Sequence, residues 1–132
     1  MWLAFGAAML GCATAQFVRK TTGPGQALIY VYRPGNMVGA LVSGEVTLSD
    51  STGFHRAFPL RNDKHVATVV PVGEYHLKVT GAYGATLANL QIQLGEGSTV
   101  FVRCVFVSAC KIVPENKGGP ELAETRENVA GD

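Results

Sequence analysis

The middle of the chain is divided into short runs in which apolar and polar residues alternate. Seven runs are rich in Val, Leu, Thr and aromatic residues and end at turn-forming residues: ALIYVYR (27–33), GEVTLS (44–49), HVATVVPV (65–72), EYHLKVTG (74–81), LANLQIQL (87–94), STVFVRCVF (98–106) and CKIVPE (110–115). FHRAFPL (54–60) is a weaker eighth candidate. Strands with turn signals at a spacing of roughly 8–12 residues are typical of all-β proteins. The pattern therefore predicts an all-β fold, an antiparallel β-sandwich or barrel of seven to eight strands.

Two of these runs also predict which side chains are buried. In EYHLKV, residues 75, 77 and 79 are apolar and the residues between them are polar, so one face is buried and His76 faces solvent. LIYVYR is apolar on both faces until Arg33, which predicts a central strand that is covered on both sides. In the tail, Pro120 followed by Glu121 predicts one short helix over residues 120–127, because Pro is favoured at the first helical position and an acid in the first turn.

The first eleven residues, MWLAFGAAMLG, carry no charge. They are too few to span a bilayer as a helix, which takes about 20 residues, but they fit the hydrophobic region of an export signal. Two processing sites compete. MLGC (9–12) resembles the lipobox of bacterial lipoproteins, which makes Cys12 a lipidated N-terminus, with a signal peptide over 1–11 and a flexible tether over 12–26. Ala13-Thr14-Ala15 before Gln16 instead fits ordinary signal peptidase, which releases a soluble protein.

The remaining cysteines indicate the same compartment. Without Cys12 an even pair is left, Cys104 and Cys110, in the stretch VRCVFVSAC. In an oxidising compartment such a pair predicts a disulfide that closes a small loop. The alternative is that the two residues are independent buried thiols, since Cys often serves as a small core residue.

Several of these elements together resemble a known family. They are YVYRP (30–34), VVPVGEYHLKV (69–79), VFVR (100–103) after LGEGST, and a closing G-x-x-E-L (118–122). In this order they resemble a family of small bacterial lipoproteins known only as a domain of unknown function, over residues 27–122. The P-x-G-x-Y-x-L-x-V element also resembles prealbumin-like modules such as the carboxypeptidase regulatory domain. The resemblance implies an exported, lipid-anchored sandwich of prealbumin- or immunoglobulin-like type, a C-terminal tail over 123–132, and no established activity.

Composition and motifs argue against several classes of function. The net charge is +1 over 132 residues, whereas nucleic-acid-binding proteins usually carry a basic excess. TGPG (22–25) and GEGS (95–98) predict turns rather than phosphate-binding loops, so neither a nucleotide nor another cofactor is expected. The histidines do not have the spacing of a metal or catalytic motif, so no metal site and no enzyme are expected. The alternative function is a periplasmic hydrolase or metal-dependent enzyme that uses His55 and His65.

The loop PGNMVGALVSG (34–44) is the strongest candidate for a functional surface. Its apolar side chains either fold back and close one end of the sandwich, or form an exposed patch for a partner. Arg33, at the end of the preceding strand, anchors either arrangement. The predicted partner-binding residues are Arg33, Met37, Val38, Leu41 and Val42. The sequence thus predicts an outer-membrane lipoprotein on the periplasmic face, attached through its lipid, that binds another envelope protein or stabilises an assembly without catalysing a reaction.

Overall fold

A computed structural model describes residues 20–35, 44–81, 84–105 and 110–127. Within these ranges the chain forms nine strands and one helix. The strands are β1 (Gln26–Arg33), β2 (Gly44–Ser49), β3 (His55–Leu60), β4 (Lys64–Pro71), β5 (Gly73–Thr80), β6 (Thr86–Leu94), β7 (Thr99–Cys104), β8 (Cys110–Val113) and β9 (Arg126–Glu127), and the helix is α1 (Glu115–Ala123). All eight strands that the sequence predicts are present.

The strands form two sheets. One has five strands in the order β8-β7-β1-β4-β9, and the other has four in the order β3-β2-β5-β6. Most neighbours are antiparallel, but β1 pairs in parallel with β7 and β4 pairs in parallel with β9. The predicted all-β sandwich with a short C-terminal helix is confirmed.

Strand β1 lies at the centre of the five-stranded sheet and is buried on both faces, as its sequence predicts. Its odd-numbered residues from Ala27 to Val31 belong to the core between the sheets. Its even-numbered residues from Leu28 to Tyr32 pack with Phe101, Val113 and Leu122 on the outer face, beneath α1. The helix thus covers the second apolar face of this sheet, which would otherwise be exposed to water.

Strand β5 shows the predicted alternation. Tyr75, Leu77 and Val79 are buried between the sheets. Glu74 and Lys78 are exposed on the outer face, and His76 is half-buried there beside Asn89 of β6, to which its ring is hydrogen-bonded. Gly73 starts this strand with φ 149°, which favours a residue without a Cβ. The hydroxyl of Tyr75 donates back to the carbonyl of Pro71 at 2.6 Å and so holds the turn that precedes the strand.

The prediction of a helix over 120–127 is wrong in its boundaries. Helix α1 begins five residues earlier, at Glu115, and ends at Ala123, with Pro120 in its interior. The amides of Lys117 and Gly118 both donate to the carbonyl of Pro114, which forms the first turn. The physical reason is packing. Gly118 is buried against Phe101, and a Cβ on Gly118 would lie 2.7 Å from the Cβ of Phe101, so only glycine allows this approach.

The folded unit also extends beyond both predicted boundaries. The expected tether, 12–26, ends in residues that are bonded to the sandwich from Lys20 onward. At the other end, β9 adds residues 126–127 to the five-stranded sheet, so part of the expected tail belongs to the fold. No helix in the described ranges is long and apolar enough to cross a membrane.

Candidate functional site at the end of strand β1

The predicted functional surface begins where β1 ends. Pro34 and Gly35 follow β1 and are the last described residues before 36–43. Met37, Val38, Leu41 and Val42 are outside the described residues. The two predicted arrangements of this segment, a closure of the sandwich or an exposed patch, therefore both stay predictions.

Arg33 lies inside the fold rather than on its surface. Only 2% of the residue is exposed, and its Nη1 donates to the carbonyl of Leu60 at 3.3 Å. Burial lowers the pKa of its guanidinium, because water would stabilise the charged form better than the interior does. Arg33 thus supports the end of β1 from within, and its predicted role as a partner-binding residue stays a prediction.

A cavity of about 320 Å³ lies beside the end of β1. Its walls combine the last described residues after β1 with the loop before β4 and the C-terminal end of α1; they are Pro34, Gly35, Asp63, Glu121, Glu124 and Thr125. Three of these residues carry carboxylates. The cavity is therefore acidic, and it lies next to a segment whose sequence is apolar.

Two hydrogen bonds from the five-stranded sheet hold the side chain of Glu121 at this cavity. Its Oε1 accepts a hydrogen bond from the Tyr32 hydroxyl at 2.5 Å and another from Nε of Arg103 at 3.1 Å. Burial raises the pKa of the Tyr32 phenol above its usual value, the hydrogen bond and the negative charge of Glu121 raise it further, and the charge of Arg103 opposes them. The Tyr32 phenol is therefore a neutral donor to the Glu121 carboxylate. This hydrogen bond stabilises the position of α1 against the sheet.

A second polar contact fixes the chain after α1. The Thr125 hydroxyl donates to the carbonyl of Leu122 at 2.7 Å and lies 2.8 Å from Nδ1 of His65. Because the hydroxyl proton is used on Leu122, we assign Nδ1 of His65 as the donor in the second bond. The imidazole also meets the Tyr30 ring edge to face, with 6.2 Å between the ring centroids. His65 is therefore a packing residue that joins β4 to the end of α1.

The structure separates the two histidines of the alternative enzymatic function. His55 is exposed on β3 in the four-stranded sheet, whereas His65 is the second residue of β4 in the other sheet. Arg56, next to His55, bonds to Thr68 and Val69 in the later part of β4, away from His65. Within the described ranges, no group of three or more His, Cys, Asp or Glu residues is placed to hold a metal ion.

Cys104 and Cys110 are brought together at the edge of the five-stranded sheet. They occupy paired positions of β7 and β8, with their Cα atoms 4.0 Å apart, and they form a disulfide. Both side chains belong to the core between the sheets. The small loop that the sequence predicts is therefore the connection between two neighbouring strands.

A second concave surface, of about 340 Å³, lies at the opposite end of the sandwich. The β2–β3 and β4–β5 turns together with β5 supply most of its walls, and Val72 is 43% exposed at its edge. The Asp50 carboxylate accepts the amides of Thr52 and Phe54, so it closes the β2–β3 turn. These two hydrogen bonds stabilise the conformation of the β2–β3 turn.

Sequence reasoning missed the contacts of Tyr32, Arg103 and Glu121. A signal was present, because a tyrosine in a strand buried on both faces needs a hydrogen-bond partner for its hydroxyl. The G-x-x-E-L element supplies it. Gly118 allows α1 to approach Phe101, Glu121 accepts the Tyr32 proton, and Leu122 is buried in the outer cluster.

No protein-family model and no curated protein matches the chain. Among solved structures it is similar to the crystal structure of the T6SS lipoprotein TssJ1 from Pseudomonas aeruginosa, with 12% sequence identity and a TM-score of 0.46 over 69% of this chain and 96% of the other. The sandwich rests on the strand pairing of this chain, and the resemblance to a lipoprotein family stays a prediction.

Proposed function

We propose that the protein is a lipid-anchored lipoprotein of the bacterial cell envelope that acts as a non-enzymatic binding or structural module of a protein assembly. The proposal rests on the different roles of the three cysteines. Cys104 and Cys110 are bonded to each other, so Cys12 alone is left for another role. Cys12 follows directly on an uncharged apolar segment and on Met-Leu-Gly, where a lipoprotein carries its acylated cysteine.

An anchor at Cys12 would precede the described part of the domain in sequence, since Lys20, the first described residue, follows eight positions later. Several acyl chains on one cysteine hold a protein at a membrane effectively permanently, since each buried CH₂ contributes about 0.8 kcal/mol. Ala13 follows the cysteine in place of the Asp that retains many lipoproteins at the inner membrane, so we place the protein at the outer membrane, facing the periplasm.

The partner would bind at the end of β1. The segment 34–44 carries Met37, Val38, Leu41 and Val42 close together in sequence, and its first two residues line the acidic cavity that contains Glu121. Loops on a rigid β-scaffold are frequent binding surfaces, because the scaffold fixes their ends. Here the buried Arg33 and the Tyr32–Glu121 hydrogen bond fix the end from which the segment starts.

The test is the replacement Cys12→Ala in the full-length chain. We expect the wild-type protein in the membrane fraction with fatty-acid label, and the variant unlabelled and either released or unprocessed. The matched control is the double variant Cys104→Ser with Cys110→Ser, which removes the other two thiols and should keep the label. A wild-type protein that is recovered soluble, with Gln16 as its first residue, would contradict the anchor.

A further inference from the structure

The chain that precedes β1 is bonded to the outer face of the five-stranded sheet. The backbone amide of Lys20 donates to the hydroxyl of Tyr30 at 2.9 Å. Tyr30 is 1% exposed, and its ring stacks on Phe101 with 5.2 Å between the ring centroids. The hydroxyl that receives Lys20 is therefore held in one place by a buried ring.

Residues 23–26 then form a turn that is bonded to other parts of the sandwich. Gly23 donates to Oε1 of Gln26 at 2.7 Å, and Gln26 donates back to the carbonyl of Gly23 at 3.2 Å. Two neighbouring turns donate to the same stretch: Val72 to the carbonyl of Gly25 at 3.0 Å, and Gly97 to that of Gln26 at 2.9 Å. The seven residues 20–26 thus belong to the folded unit.

This attachment shortens any tether that begins at Cys12. Eight residue steps separate Cys12 from Lys20, and a fully extended chain of that length reaches about 29 Å at most. If the fold began at Gln26, fourteen steps would reach about 50 Å. The bonds of residues 20–26 therefore remove nearly half of the available reach.

We propose that residues 20–26 are a clasp that holds the outer face of the five-stranded sheet, around Tyr30, close to the phospholipid surface in which the lipid of Cys12 is inserted. The proposal rests on the lipid anchor described above. With the clasp closed, Lys20, which is bonded to Tyr30, lies within about 29 Å of the membrane, and the four-stranded sheet lies on the far side of the sandwich. Release of the clasp lets the domain reach a partner further from the membrane.

The first test measures the clasp by limited digestion of the detergent-solubilised full chain with trypsin, which cleaves after Lys20 only when that stretch opens. Tyr30→Phe keeps the packed ring and removes the hydroxyl, and we expect cleavage after Lys20 roughly fivefold faster than in wild type. Gln26→Ala removes the side-chain bond of the turn and should act in the same direction. Tyr32→Phe removes another buried hydroxyl without touching residues 20–26, and it should leave this rate unchanged. Cleavage after Lys78, within β5, reports global unfolding, which Tyr32→Phe makes more frequent, so the rate after Lys20 is compared with the rate after Lys78 in each protein.

Equal rates of cleavage after Lys20 in wild type, Tyr30→Phe and Gln26→Ala would overturn the clasp.

The second test measures how far the domain reaches from the membrane in phosphatidylethanolamine–phosphatidylglycerol vesicles. Trp2 is the only tryptophan and lies in the expected signal peptide, so Lys78→Trp on the four-stranded sheet gives the processed protein a single reporter. We expect energy transfer from this tryptophan to a dansyl lipid to fall when Tyr30→Phe is added and to stay the same with Tyr32→Phe. If the lipid anchor is absent, the protein does not bind vesicles and shows no transfer, which overturns the membrane-proximal face even where trypsin detects a clasp.

Discussion

The hydroxyl of Tyr32 donates a 2.5 Å hydrogen bond to Oε1 of Glu121, a residue 89 positions further along the chain. Nε of Arg103 reaches the same oxygen at 3.1 Å from the neighbouring strand β7. One carboxylate thus joins the central strand, its parallel neighbour and helix α1. This contact positions the helix over the outer face of the sheet and forms one wall of the cavity at the end of β1.

We expect Tyr32→Phe to lower the free energy of unfolding by about 1 kcal/mol, because a hydrogen bond to a carboxylate is lost while Arg103 still pairs with Glu121. We expect a small effect because the Glu121 side chain is 31% exposed, so water partly replaces the phenol as its hydrogen-bond donor. Urea denaturation measures the change. Glu124→Gln, on the exposed side of the same helical end, is the control and should be within about 0.5 kcal/mol of wild type. An unchanged midpoint for Tyr32→Phe would show that the contact does not hold the helix.

The same contact predicts a dependence on alkaline pH. Burial and Glu121 raise the pKa of Tyr32 in the folded protein above that of an unfolded tyrosine, about 10. The resulting stabilisation is complete below the unfolded pKa and is lost as the pH rises towards the folded one. The difference in unfolding free energy between wild type and Tyr32→Phe should therefore be constant from pH 7 to 9 and shrink above about pH 10. If this difference instead grew above about pH 10, the pKa of Tyr32 would be lowered rather than raised in the folded protein, which would contradict the prediction.

Gly118→Ala should destabilise the protein by roughly 1–3 kcal/mol, the usual cost of overpacking a core. The added Cβ would lie 2.7 Å from both Cβ and Cγ of Phe101, so helix or ring must move. Alanine is otherwise the better helix former, so a stabilised variant would show that α1 does not approach β7 this closely. Lys117→Ala changes the exposed neighbour in the same helix and should have little effect. Thermal unfolding of both variants provides the comparison.

The sequence predicted the sandwich because burial of one face of a strand makes apolar and polar residues alternate along it. β2 matches its predicted limits, and β1 shows the two buried faces expected of a central strand. The start of α1 was not predictable from local preferences. Pro120 favours a helix start, but Gly118 and the buried Phe101 place the helix five residues earlier. Contacts between distant residues, such as Tyr32 with Glu121, depend on the pairing of β1 with β7, and a pattern along one chain does not specify that pairing.

Cys104 and Cys110 should resist alkylation in the native, unreduced protein. A disulfide across so short a loop stabilises by about 2 kcal/mol in the chain-entropy model. Intact mass after alkylation without reductant counts the free thiols, and the mature domain should show none at these two positions. The double variant Cys104→Ala with Cys110→Ala should unfold about 2 kcal/mol more easily, whereas reductant should not affect it further. Two alkylated thiols in the untreated protein would exclude the bond.

Met37→Asp and Leu41→Asp test whether segment 34–44 is the partner-binding surface. If these side chains form an exposed patch, a charge should reduce the recovery of co-purified envelope proteins from solubilised membranes and change the melting temperature little, because no core contact is lost. Val72→Asp is the matched control, since Val72 is 43% exposed at the opposite end of the sandwich and gains the same charge. It should leave recovery unchanged. If the segment instead closes the end of the sandwich, each aspartate would be buried and should lower the free energy of unfolding by more than about 2 kcal/mol. That result would move the partner site elsewhere on the domain.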